Sequence, residues 1–218
     1  LSKPSGSTCG NLGFGLSIWS NGIPYFEYWG CNVEHNAIGQ IPLELDTWYV
    51  LTAVYDGSEL KLFRDGIIDG QITRTLTTTA IGNNDFFIGH RGDPNYAVQE
   101  AHDGYIRNAG LWSRALDDLE VVSLAAGIYN ITDENLIADW KINAGDGNRA
   151  FDHTGNQHHG DILGSDWIEI IDGCLDQNAC NYDETADTDD ASCIYPEENY
   201  DCDGNCLILD CNGDCGGQ

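Results

Sequence analysis

A chain of 218 residues has room for one sizeable core and a small appendage. Its 36 Asp and Glu against 9 Lys and Arg leave a net charge of −27, which excludes nucleic-acid binding by counterion release, disfavours anionic membranes and makes cations the natural partners. No apolar run approaches the roughly 20 residues that cross a bilayer, and no basic-then-apolar leader is present, so the chain is expected not to insert into a membrane.

In chain order the elements read as short strands. "FGLSIWS" and "IPYFEYW" come first, beside Cys9 and Cys31. These two cysteines are expected to form a disulfide, closing a loop of about 20 residues for roughly 3 kcal/mol. In "TWYVLTAVYDGSELKLFRDGIIDGQIT", Trp48, Val50, Thr52 and Val54 point one way and Tyr49, Leu51, Ala53 and Tyr55 the other. Both faces are apolar, which suits a strand inside a two-sheet sandwich. Asp56-Gly57 and Asp65-Gly66 supply turn chemistry on either side of "ELKLF". "DFFIGH", "GYIRNAGLWS", "LIADWKI" and "GDILGSDWIEI" are further strand candidates. Only "ALDDLEVVSLAAG" reads as a helix, with Asp117 as N-cap, Leu119 and Val122 on one face and Gly127 as its stop. The expected fold class is all-β: an antiparallel two-sheet jelly-roll sandwich with one short helix and a small irregular tail.

Composition changes near Asp172-Gly173. No Lys or Arg follows Arg149, and seven of the nine cysteines crowd into the tail: Cys174, Cys180, Cys193, Cys202, Cys206, Cys211 and Cys215. Residues 1–171 and 172–218 are therefore expected to be separate domains. The tail is too poor in apolar residues to fold by burial, the usual state of disulfide-framed units in oxidising surroundings. Zinc is disfavoured, because Cys202/Cys206 and Cys211/Cys215 are C-x3-C pairs with acids between them rather than C-x2-C knuckles. The acids invite calcium instead. Asp201, Asp203 and Asn205 recur as Asp210, Asn212 and Asp214, hard oxygen ligands with a glycine allowing a tight loop.

The order of "LDTWYVLTAVYDGSELKLFRDGIIDG", "IGNNDFFIGHRG" and "DGYIRNAGLWSRALDDLEV" resembles the laminin-G-like, concanavalin-type jelly roll, over about residues 10 to 128. The segment "NLIADWKINAGDGNRAFDHTGNQHHGDILGSDWIE" is similar to a W-x-x-N-x-G…D-x-x-G-N-x-x-H-G element that accompanies such domains in secreted bacterial proteins. The tail resembles the cysteine-rich G-C-x-D-x-x-A-C-N-Y-x-x-x-A-x-x-D-D-x-S-C repeats of large secreted bacterial proteins. The resemblance implies a secreted or cell-surface protein that binds glycans, proteins or lipids at its loops, with calcium as cofactor, and that is not an enzyme. Pentraxin-like calcium loops would correspond to "HRGDPNYAVQEAHDG", where Asp93, Asn95, Glu100 and Asp103 are the oxygen donors while His90 and Arg91 replace acids. Family members open with two further strands that have no counterpart here.

Hydrolysis by two carboxylates is the catalytic alternative. Glu44-Leu45-Asp46 begins an E-x-D strand pattern that Trp48 and Tyr49 interrupt, and Glu27 and Glu34 flank an aromatic stretch. Tyr25, Trp29 and Tyr96 are candidate sugar-stacking aromatics. Arg91-Gly92-Asp93, the histidines His153, His158 and His159, and the sequon Asn130-Ile131-Thr132 are weaker motifs. The leading expectation is a structural or adhesive extracellular module, and the alternative is a calcium-dependent carbohydrate-binding domain. Partners are then other copies of the chain, other extracellular proteins or glycans. The missing opening strands and an odd number of cysteines further suggest head-to-tail filaments, with Leu1 to Gly10 and the tail after Asp172 at the contact, unless both deficits lie outside this stretch.

Overall fold

The computed structural model describes residues 13–30, 33–75, 86–89, 102–208 and 215, the side chains of 29, 30, 33 and 34 excepted. Two compact units emerge: Leu1–Ala144 with Asn148–Ile162, and Gly145–Gly147 with Leu163–Gln218.

In the first unit, β1 (Gly13–Ile18), β2 (Pro24–Gly30) and β3 (Val33–Ile38) make one antiparallel sheet, and β4 (Leu51–Tyr55), β5 (Glu59–Arg64) and β6 (Ile67–Thr73) another. Strand alternation sends Phe26 and Ala37 from the first sheet against Leu60 and Leu62 from the second, with Tyr28, Ala53, Tyr55 and Ile72 around them. The other face of the second sheet carries Val54 and Phe63, which are sealed by Val121 of α1 (Asp118–Ala125) together with Ala115 and Leu116. Both apolar faces of β4 are thereby used. The strand starts only at Leu51, however. Trp48 stays 39% exposed, since Asp46 adopts a left-handed φ of 56° and the Val50 N–H donates to the Asp65 carboxylate. β3, whose one buried side chain among those described is the small Ala37, gave no apolar period to read.

The two turns form as their residues require. Asp65 and Gly66 have φ of 50° and 81°, both left-handed, as a two-residue hairpin needs. A Cβ on Gly66 would lie 3.0 Å from Val122 Cα, so this glycine also lets α1 approach. Asp56 accepts from the Ser58 and Glu59 N–H groups, which holds its carboxyl below the usual range. In β6 the register shifts at Asp69, the extra residue of a bulge, and Gly70 packs against the Ile38 backbone.

α1 begins at a capping box: Asp117 Oδ1 accepts the Glu120 N–H at 2.9 Å and Glu120 Oε2 accepts the Asp117 N–H at 2.8 Å. Gly127, at φ 73°, ends it. The apolar pair read as one face, Leu119 and Val122, is not the packed one: Val121 is buried, while Leu119 and Val122 are 79% and 52% exposed. An eight-residue helix with apolar residues on several sides does not select a face by period, and contact with Phe63 does.

β7 (Ala109–Trp112) pairs with β8 (Leu136–Trp140), and β9 (Arg149–Ala150) with β10 (Gly160–Asp161). Three expected strands are shorter or missing, and of "GYIRNAGLWS" only β7 forms. "GDILGSDWIEI" contributes only β10, since Gly164 turns the chain at φ 74° and Leu163 is exposed. Residues 86–89 of "DFFIGH" are not in a strand. Between β9 and β10, Asp152 gathers the D-x-x-G-N-x-x-H-G segment: its carboxylate accepts the N–H groups of Asp139, Thr154 and His158 and the Thr154 hydroxyl. Asn156 donates to the Leu136 and Ile137 carbonyls, and Trp140 Nε1 to the His158 carbonyl. The motif is a clamp on β8.

In the second unit, β11 (Asp172–Gly173) and β12 (Thr188–Asp189) make a two-residue parallel pair. Disulfides join Cys174 to Cys193, Cys180 to Cys202 and Cys206 to Cys215. The C-x3-C pair Cys202/Cys206 is thus split between two bridges. The repeat motif explains itself residue by residue. Gly173 sits where a Cβ would meet Ala186 at 3.0 Å, Ala179 is buried, and the Asn181 amide donates to the Ser192 carbonyl and accepts the Ile194 N–H. Asp176, Asp183 and Asp190 each accept the N–H two residues on, closing Asx turns. Cys9, Cys31 and Cys211 lie outside the described residues.

Candidate functional site

The connection between β3 and β4 is pinned from several sides. Arg64 donates to Asp69 Oδ2 and to the Ile41 carbonyl, each at 2.6 Å, and its guanidinium lies over the Tyr49 ring at 5.7 Å. Asp69 Oδ1 accepts the Gln40 N–H, Tyr49 Oη accepts the Glu44 N–H, and the Leu43 N–H donates to Gly22. The Arg64–Asp69 pair is largely buried, with side-chain exposures of 13% and 9%, so it is rigid where a surface pair would be loose. The bulge at Asp69 is what aims this carboxylate.

What the pinned connection presents is Trp48. Its ring lies 6.5 Å from Tyr105, tilted by 34°, and Tyr105 is 65% exposed. The 102–108 connection that carries Tyr105 is tied back by the His102 N–H on the Gly89 carbonyl, with Asp103 exposed beside it. Exposed Ile41, Leu45 and Val50 belong to the same connection as Trp48. Two aromatic rings on anchored backbone offer an apolar platform with acidic and imidazole groups nearby. Sequence reading took Trp48 for core and Tyr105 for strand. The signals that separate them are the polar "LELDT" before one and Asp103-Gly104 before the other.

A second aromatic pair joins Trp19 to Tyr25 at 4.8 Å. Tyr25 is half-buried, the side chain of Trp29 lies outside the described set, and so does Tyr96. Of the hydrolytic carboxylates, Glu44 and Asp46 sit in the connection rather than on a strand, Glu27 is 2% exposed on β2, and the Glu34 side chain lies outside the described set.

Among the described residues no three His, Cys, Asp or Glu side chains gather in a way that could hold a metal ion. Asp201 accepts from the N–H groups of Asp203 and Asn205 and from Asn205 Nδ2, an arrangement that closes the loop and keeps its carboxyl low. Asp210, Asn212 and Asp214 lie outside the described residues, as do Asp93, Asn95, Glu100, His90 and Arg91. His159 Nδ1 accepts the Asp152 N–H and its ring stands edge-on to Phe151 at 5.5 Å, so it packs rather than ligates.

The buried carboxylates of β8 and its clamp are driven apart electrostatically. Burial pushes Asp152 up, but its hydrogen bonds from Thr154, Asp139 and His158 outweigh that and hold it at about 2. Burial raises Asp139, with Asp152 adding to the effect and His153 opposing it. Asp139 Oδ1 accepts the Tyr129 hydroxyl at 3.0 Å, and Oδ2 is 3.1 Å from Lys141 Nζ as an ion pair without hydrogen-bond alignment. Lys141 also meets Tyr129, and burial lowers its pKa.

The model of the Concanavalin A-like lectin/glucanases superfamily matches residues 2–122. No curated protein matches the chain. Among solved structures, a Bacteroides ovatus protein provisionally named a carbohydrate binding protein aligns at 17% identity and a TM-score of 0.48, over 66% of this chain and 44% of its own. An S-layer domain-containing protein from Clostridium thermocellum aligns at 18% identity and a TM-score of 0.33, over 57% and 67%. This chain therefore spans less than half of the Bacteroides ovatus chain. With a family model covering more than half of its residues and two face-packed antiparallel sheets beneath it, the chain belongs to the laminin-G-like branch of the Concanavalin A-like lectin/glucanases superfamily.

Proposed function

We propose that this chain is a non-catalytic, extracellular carbohydrate-binding module of an adhesive surface protein, holding a glycan against Trp48 and Tyr105. The exposed aromatic pair carries the reading: a sandwich that leaves two rings half in water, on a connection fixed by a buried ion pair, has a stacking surface ready for the apolar face of a sugar. A net charge of −27 favours neutral over anionic glycans. The disulfide-framed tail supports an oxidising, extracellular setting. No helix among the described residues is long and apolar enough to cross a membrane. Glycoside hydrolysis is the weaker reading, because Glu44 and Asp46 sit in the connection and not two apart on one strand face, where the E-x-D pattern would place a carboxylate pair. Calcium at Asp103 or in the Asp201 loop belongs to this proposal as an added ligand for sugar or fold. A glycan array followed by titration tests it. Saturable binding is expected, with Trp48→Ala and Tyr105→Ala each weakening it about tenfold, some 1.4 kcal/mol. Equal binding by both variants, or none by the parent chain, rejects the site.

A second reading, self-assembly by strand addition, draws on β1. Phe14, Leu16 and Ile18 share a face with the buried Phe26 and Ala37 yet stay 48%, 41% and 40% exposed. A strand from another copy would cover them and extend into filaments. Electron microscopy of native material decides it, a dispersed monomer counting against the filament.

A further inference from the structure

We propose that Asn130 is an acceptor for N-linked glycosylation, taking its sugar from an oligosaccharide carried on a lipid diphosphate. Asn130-Ile131-Thr132 is the single N-x-[ST] sequence in the chain, and its middle residue is not proline. It lies in the connection between α1 and β8, where residues 130–132 are exposed. Position in sequence alone would say little; the local geometry says more.

Asn130 Oδ1 accepts from the Thr132 N–H at 3.0 Å and from the Thr132 hydroxyl at 2.8 Å. The backbone turn is closed by the Asp133 N–H on the Asn130 carbonyl at 3.1 Å. The carbonyl half of the side-chain amide is thus engaged, whereas Nδ2 has no protein partner among the described residues. The neighbouring carboxylate of Asp133 does not compete for it, being held by Arg114 and by the Asn135 amide.

That division suits the reaction. Two donors on an amide oxygen make its N–H protons more acidic, which eases the loss of one from a nitrogen that is otherwise a poor nucleophile. Nδ2 attacks the anomeric carbon of the donor sugar. The carbon–nitrogen bond forms, the bond from that carbon to the diphosphate oxygen breaks, and the lipid diphosphate leaves with the electron pair. The amide proton passes to a base of the transferase. The attached glycan would stand on the α1–β8 connection, whereas Trp48 and Tyr105 belong to the 39–50 and 102–108 connections.

Secretion of the whole chain from a host that performs N-glycosylation, followed by intact-mass measurement and peptide mapping, tests the assignment. The expected result is a glycan mass on the Asn130 peptide that an N-glycan amidase removes, leaving Asp in its place. Asn130→Gln and Thr132→Ala should lose the increment, and Thr132→Ser should keep part of it, because a serine hydroxyl still donates to the amide oxygen. Disulfide mapping of the tail accompanies each sample as a check that the secreted chain is folded. A folded parent chain at its unmodified mass overturns the proposal, as does an increment that survives in Asn130→Gln.

Discussion

The two units of this chain reach a fixed structure by different means. In the first, Phe26, Leu60, Leu62, Phe63, Val121, Leu136 and Trp140 are buried, and the chain is ordered by removing apolar surface from water. In the second, the buried hydrophobic residues among those described are Cys174 and Ala179, and the disulfides between described cysteines take over with a series of Asx turns. The contrast teaches what the tail's acids do. Asp176, Asp183, Asp190 and Asp201 hold backbone N–H groups that a larger core would have placed in strands or helices. A small polar unit satisfies its backbone with side chains.

Reducing the disulfides should break the comparison most sharply. Loops of 19, 22 and 9 residues are closed by the three bridges. Each contributes about 2.5 to 3.5 kcal/mol in the chain-entropy account. Their joint loss should unfold the second unit and leave the first cooperative, which limited proteolysis with peptide mapping would register. Protection of residues 172–208 that persists after reduction would mean that the Asx turns suffice.

Phe63→Ala is the converse experiment. It removes a ring packed between Val54 and Val121 and should cost about 3 to 5 kcal/mol in denaturant melts of the first unit, with tail disulfide mapping unchanged. Loss of the tail's pairing in this variant would show that the units do not stabilise independently.

Asp152→Ala should cost about 3 kcal/mol, because it strands the N–H groups of Asp139, Thr154 and His158. The effect has a pH signature. A carboxyl lowered to about 2 in the folded state stabilises fully above the unfolded value near 3.9, and that contribution is lost as pH falls toward 2. Asp139 runs the other way: raised by burial, it favours the fold once protonated and loses that contribution as pH rises through its folded value. The gap between parent and Asp152→Ala in melts should therefore narrow from about pH 5 to about pH 2, and a constant gap would refute the clamp. The smallest effect belongs to Asp117→Ala, which removes one half of the capping box and should cost about 1 kcal/mol, read as faster amide exchange in α1.

Much of the fold was legible because it rests on local rules. Period-2 apolar alternation marked β4, Asp-Gly pairs marked the hairpins on either side of β5, and Asp117 marked the helix start. The strand ends were not, since Asp46 and Gly164 turn the backbone where the hydrophobic pattern runs on. The candidate site was less legible still. Nothing in "TWYV" distinguishes a Trp that packs from a Trp that is displayed, because display depends on the Arg64–Asp69 clamp and on Tyr105, which lies more than fifty positions away.

By itself the sequence determined the family, the all-β class, the position and cap of α1 and a tail framed by cysteines, since each follows from residue type and near-neighbour spacing. Only the tertiary structure decided which cysteines pair, which face of α1 is buried and which aromatics meet water. Those outcomes depend on which distant segments come within a few ångströms, a contest settled by packing and loop closure that no local pattern encodes.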